Sequence, residues 1–135
     1  MSLDAGRTIL GTYGQVFIDG QWQTNFNSLV ANVEMDKKEI LLSGDVWKRY
    51  KKGPLKGSGT MSGFKVTSGM LQRGFSKFEI ISKLDDPEAY GFERIRLKNV
   101  LVDGLQLASW KAGEPVTEEV KFTFEEYELL DPIVA

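Results

Sequence analysis

The strongest chemical signal in the chain lies in one short stretch: Trp47, Lys48, Arg49, Tyr50, Lys51, Lys52 and Lys56. Cations neutralise phosphates and aromatic faces stack on bases, so the pattern is one that a single-stranded nucleic acid could read. The same residues equally suit a charged loop that docks on an acidic neighbour or stays solvated. The rest of the chain is net acidic, which favours docking over a nucleic-acid site.

Three other groupings invite a chemical reading and fall short of it. Gly57, Gly59 and Gly63 resemble a phosphate-cradling loop, but such a loop needs lysine after its final glycine and Phe64 stands there. Without a surrounding βαβ unit, these glycines read as strand bulges or points of close backbone approach. The carboxylates Asp85, Asp86 and Glu88 lack the spacing of a calcium loop and flank Pro87, so a solvated turn is expected. Two carboxylates suffice for glycoside hydrolysis, yet no pair stands out among the 19 acidic residues.

The chain contains no histidine and no cysteine. Imidazole acid–base catalysis, thiol nucleophiles, thiolate zinc sites and disulfides are therefore excluded together. We expect no catalytic residue, no cofactor and no metal.

The elements that would position these residues are strands. With 135 residues, 41% hydrophobic and 27% charged, the composition fits one domain over residues 1–135, with a flexible start over residues 1–7. A net charge of −2 and a pI near 5.2 provide no global attraction for nucleic acid or an anionic membrane. No apolar run approaches the roughly 20 residues needed to span a bilayer, and no secretory leader is visible at the start.

Asp19-Gly20 lies between patterned residues and predicts a hairpin, its second arm continuing through Leu29, Ala31, Val33 and Met35 as one long strand. Ile40-Leu41-Leu42 is a short β-compatible run. Residues 44–57, with Pro54 and flanking glycines, predict an extended loop or hairpin arm. Thr67-Ser68 can cap a short helical turn through Met70, Leu71 and Gln72 that Gly74 ends. A strand over Phe78 to Leu84 precedes the Asp85-Asp86-Pro87 turn. From Glu93 to Val102 the apolar phase slips from Ile95 and Leu97 to Val100 and Val102, which predicts a bulge near Lys98-Asn99. Asp103-Gly104 predicts a second hairpin leading into Leu105, Leu107 and Trp110. A last alternating strand begins at Val120 and runs toward Pro132. The fold class is mainly β and antiparallel, with at least seven strands and one short helix.

Charge is patterned along these strands. Arg94, Arg96 and Lys98 form a basic row, and Glu118, Glu119 and Glu125 lead an acidic one that continues to Glu126 and Glu128. Paired across strands, such charges contribute roughly 0.2–1 kcal/mol each; facing another copy, they would set register between subunits.

The string LDDPEAYGFERIRLKNV over residues 84–100, then LASW and VKFTFEEYELLDP, resembles the C-terminal half of the tail tube proteins of contractile-tailed phages, in the branch that includes the defective Bacillus prophage PBSX. FIDG, ANVEMDKKEI and KGSGTMSGFKVTS follow the same family order, so the resemblance runs from about Thr8 to Pro132. Only Ser68 to Phe78 departs, being shorter than the family pattern, with its helix reduced to a turn.

The resemblance implies a β-sandwich or partly closed β-barrel that forms hexameric rings stacked into a hollow tube for genome passage. It implies no catalytic residue and no cofactor. The implied partners are copies of itself, the tail sheath, the tape measure, tail terminator and baseplate proteins, with DNA only as transient cargo and no membrane. The implied location is the virion tail, assembled in the bacterial host cytoplasm, with the arm over 44–57 reaching a neighbouring subunit or the next ring. Tube proteins of secretion particles and phage-tail-like bacteriocins share the fold and are the alternative. A small β-barrel that binds nucleic acid through residues 47–56 is the rival of another class.

Overall fold

The alternating segments fold as antiparallel strands in the computed structural model, which describes residues 4–134. In order these are β1 (Gly14–Ile18), β2 (Gln21–Trp22), β3 (Phe26–Met35), β4 (Lys38–Ile40), β5 (Arg49–Lys51), β6 (Leu55–Phe64), helix α1 (Gly69–Arg73), β7 (Phe78–Leu84), β8 (Glu93–Val102), β9 (Thr117–Phe124) and β10 (Glu126–Asp131).

Two half-sheets share β8. One runs β2-β1-β7-β8-β10 and the other β3-β6-β9-β8. The first part of β8 pairs with β7 and β10, and its last residues, Leu101 and Val102, pair with Thr123 and Phe122 of β9. The change of partner follows the expected bulge. Phe78 faces Val100 while Ile80 faces Leu97, one residue more on β8 than on β7. Asn99 takes up the extra length at φ 53, and a bulge of this kind sharpens local twist enough to lead a strand from one sheet to another.

The core fills the space between the half-sheets. Ile18, Ile80 and Val100 meet Met61 and Phe122, all essentially inaccessible. Each such side chain contributes about 1.5–3 kcal/mol by leaving water. Gly57 and Gly59 lie opposite Phe124 and Phe122. A Cβ on Gly59 would sit 2.6 Å from Cζ of Phe122, so these glycines are points of close approach beneath aromatic rings, and neither bulge nor phosphate loop.

Several expectations need correction. The Asp19-Gly20 hairpin forms, with φ 50 and 82 at the two turn residues. Its second arm, however, stops at Trp22. Gln23 N donates to Val16 O at 2.8 Å and Phe26 N to Gln23 O at 3.3 Å, which turns the chain across to the other half-sheet, where β3 pairs with β6. Asp103-Gly104 forms no hairpin: neither residue has positive φ, Asp103 N donates to Lys121 O at 2.8 Å, and residues 104–111 lie in no strand. The final strand is two, broken at Glu125, whose N–H bonds Lys98 O at 3.2 Å beside the bulge. Of the run Ile40-Leu41-Leu42, only Ile40 is in a strand. Ser68 precedes α1 without a side-chain cap, and its carbonyl accepts from Gln72 N instead.

The Asp85-Asp86-Pro87 turn is not simply solvated, because Asp86 is only 6% exposed. Its Oδ2 accepts from Leu10 N at 3.1 Å and its Oδ1 from Glu88 N at 2.9 Å. This carboxylate ties the N-terminal segment to the turn. Of the stretch expected to be flexible, residues 1–3 lie outside the described residues. Ala5–Arg7 form a 3-10 turn, and Arg7 donates to Glu88 O at 3.0 Å.

Candidate functional site

Residues 36–54 leave the body as an arm. Lys38, Glu39 and Ile40 of β4 pair with Lys51, Tyr50 and Arg49 of β5, a two-stranded sheet of its own. Asp36 N donates to Pro54 O at 2.9 Å and closes the base. At the tip, Asp45 accepts from Trp47 N and from Nε of Arg49, each at 2.9 Å. These two bonds, the backbone one first, hold its carboxyl below the ordinary aspartate value. The turn is therefore internally braced, since both bonds favour the charged form.

What the arm presents is apolar. Val46 is 96% exposed, Leu41 79% and Trp47 70%, with Leu42 and Tyr50 also largely bare. Lys48 lies 3.8 Å from Glu39, and Lys37 sits over the Tyr50 ring at 5.9 Å. Among the described residues, Lys51, Lys52 and Lys56 have no carboxylate within ion-pair distance. Between residues 36 and 56 there are seven Lys or Arg against three Asp or Glu, a net of +4, which leaves ten against sixteen, −6, elsewhere. The arm thus combines net positive charge with a bare apolar tip, and exposed apolar patches of this kind are uncommon on isolated chains.

The basic row of β8 is paired inside the chain. Arg96 forms a two-pronged ion pair with Glu79 of β7 and lies 4.0 Å from Glu128 of β10. Lys98 is 3.4 Å from Glu128, and Arg94 pairs with Asp131. The hydrogen bonds that Arg96 donates to Glu79, more than the neighbouring Glu128, push its guanidinium above its ordinary value.

Glu118, Glu119 and Glu125 are not brought to that row. Glu125 pairs with Lys77 at 2.9 Å and Glu119 points to solvent. Glu118 is buried among the alternating core residues of β9, and burial pushes its carboxyl up, opposed by the charge of Lys65. Glu79 and Asp131 were missed by sequence reasoning, since only strand register reveals them as partners of Arg96 and Arg94.

The sandwich is open along one side. Among the described residues β3 bonds only β6 and β10 only β8, so each keeps an unpaired edge. Between them runs a groove of about 410 Å³ with apolar walls, among them Val33, Ile95 and Tyr127. Among the described residues no cluster of three His, Cys, Asp or Glu could hold a metal ion, and no helix is long and apolar enough to cross a membrane.

The described residues thus present a braced, bare arm and two unpaired strand edges. The sequence pattern of the family described as phage tail tube protein matches residues 1–131. The chain belongs to the phage tail tube protein family.

Two Bacillus subtilis (strain 168) relatives agree with that membership. Phage-like element PBSX protein XkdM is 34% identical over 139 residues, covering 96% of this chain and 95% of the relative. The uncharacterized protein YqbM is 32% identical with the same coverage. Among solved structures, the chain resembles the tube terminating cap of the anti-feeding prophage (TM-score 0.76, 12% identity, 98% of this chain and 95% of that one). It also resembles a chain of the sheath–tube complex of an extracellular contractile injection system, PVC, in the extended state (0.72, 12%, 95% and 98%). A third likeness is to a chain of the native gene transfer agent virion (0.68, 12%, 92% and 100%). At these identities the likeness is one of fold, and it agrees with the open antiparallel sandwich described above. This tail tube protein is a structural component of a virion tail and not an enzyme.

Proposed function

We propose that this tail tube protein builds the inner tube of a contractile phage tail, its copies joining in hexameric rings that stack around a channel for DNA. The observation that carries this reading is the arm, whose exposed Val46 and Trp47 are buried by nothing in their own chain. In a ring, the free edges of β3 and β10 gain partners, which removes the aggregation hazard of open edges. Residues Trp47, Lys48, Arg49, Tyr50, Lys51, Lys52 and Lys56 form the contact between subunits. The sheath, tape measure, tail terminator and baseplate proteins are the further partners, and assembly takes place in the cytoplasm of the bacterial host. DNA is transient cargo, to which a mildly acidic protein binds weakly.

A second reading, the tube of an extracellular injection particle, is favoured by the fold likeness to the anti-feeding prophage and PVC chains. It uses the same assembly and differs in cargo. Light scattering across a concentration series tests the common core of both readings. The parent chain grows into large species, and Val46→Ser with Trp47→Ser stays small while keeping its circular dichroism spectrum. Equal growth of parent and variant rejects the role given to the arm.

A further inference from the structure

We propose that the groove between β3 and β10 is the seat of the arm tip of a second copy of this chain, with Trp47 as its anchor. The inference rests on the self-assembly reading above and names the surface that receives the arm.

The groove has the right chemistry for that occupant. Leu29, Ala31 and Val33 of β3 form one wall, and Ile95 and Leu97 of β8 with Tyr127 of β10 form the other, around about 410 Å³. An apolar recess of this size suits one aromatic anchor with aliphatic neighbours. Its two long sides are strand edges with unpaired N–H and C=O groups. Such edges bond an incoming extended segment while the pocket takes its side chains. The arm tip is a braced turn and supplies the side chains, with Leu41, Leu42, Val46 and Trp47 bare on it.

The arm does not fill the groove of its own chain. It departs where β3 and β6 end, at Met35 and Leu55, and its tip stays bare. An arm tip seated in this groove therefore comes from another copy.

Charge gives the contact its direction. At one end the groove opens into a recess lined by Leu55, Phe124, Glu125 and Glu126. Lys51 and Lys52 lie on the arm and, among the described residues, have no carboxylate within ion-pair distance. The stretch over residues 36–56, at +4, is repelled by its counterpart in a second copy and attracted to a body of −6. Because donor and acceptor are different surfaces, the contact is head-to-tail, the type that propagates into rings or stacks.

The absence of cysteine gives a direct test. Val46→Cys in one preparation is mixed with Ala31→Cys or Tyr127→Cys in another, assembled and oxidised, with Val46→Cys mixed with Ser109→Cys as control. A disulfide needs Cα atoms within about 7 Å, so a cross-link reports seating. We expect disulfide-linked dimers with either groove variant at least tenfold above the control, lost when Trp47→Ser is added to the Val46→Cys chain. Assemblies whose groove cross-links do not exceed the control overturn this inference and leave the tube reading standing. Failure of the unsubstituted chain to assemble at any concentration overturns both.

Discussion

Arg96 donates through Nε and Nη2 to the two carboxylate oxygens of Glu79, while its Nη1 lies 4.0 Å from Oε2 of Glu128. One guanidinium thus ties β8 to both of its neighbours, β7 on one side and β10 on the other. A planar fork matches a carboxylate in two bonds, which lysine cannot do. Because β10 borders the groove, this clamp also holds one wall of the open side in place.

Arg96→Lys therefore loosens β10 more than it disturbs the core. Hydrogen exchange measured at low salt will show faster exchange at Tyr127 and Leu129 than at Val120 and Phe122. The urea midpoint falls, and the deficit shrinks in 1 M salt because exposed ion pairs are screened. Uniform loss of protection across β9 and β10 counts against a local clamp.

Gly59 has a steric requirement that alanine breaks. Its added Cβ meets the Phe122 ring and the Val30 carbonyl. Overpacking of this kind costs roughly 1–3 kcal/mol. Urea denaturation of Gly59→Ala will show that loss, and Phe122→Leu in the same chain will recover part of it. A neutral Gly59→Ala contradicts the close-packing account.

Asp86 joins segments distant in sequence. Asp86→Ala leaves the Leu10 and Glu88 amides without their acceptor, at a cost of about 1–2 kcal/mol. Limited proteolysis will cut near Leu10 faster in the variant than in the parent. Unchanged cutting shows that the carboxylate does not anchor this segment.

Glu118 predicts a pH dependence of defined sign. Burial raises its folded-state value, so the folded chain holds this proton more tightly than the unfolded chain. Its favourable contribution is complete below the unfolded value and is lost as pH rises toward the raised one. Glu118→Gln removes that loss. Relative to the parent, the variant gains stability as pH rises above the ordinary glutamate value of 4.5, read as the difference in urea midpoints. A difference constant with pH shows that this carboxyl does not titrate anomalously.

Much of this architecture was legible because its causes are local. Alternation marked β7 and β8 over the observed residues, and the phase slip after Leu97 located the bulge that Asn99 forms. Composition alone singled out the arm. Asp103-Gly104 misled because the turn preference of a dipeptide is weak against a distant bond, here from Asp103 N to Lys121 O. The partners of the β8 cations were hidden for a similar reason: register placed Glu128 and Asp131 beside them, whereas sequence proximity in the acidic run pointed equally to Glu118 and Glu119. The break at Glu125 carried no glycine or proline signal and falls where the chain passes from β9, paired along its length with β6, to β10, paired with the first part of β8.

Negative-stain microscopy of the concentrated, unsubstituted protein tests the central claim, that this chain is built to assemble with itself. The account predicts tubes of uniform diameter whose end views show six-fold rings. Particles that stay monomeric at every concentration, and remain so after sheath and baseplate proteins are added, contradict it.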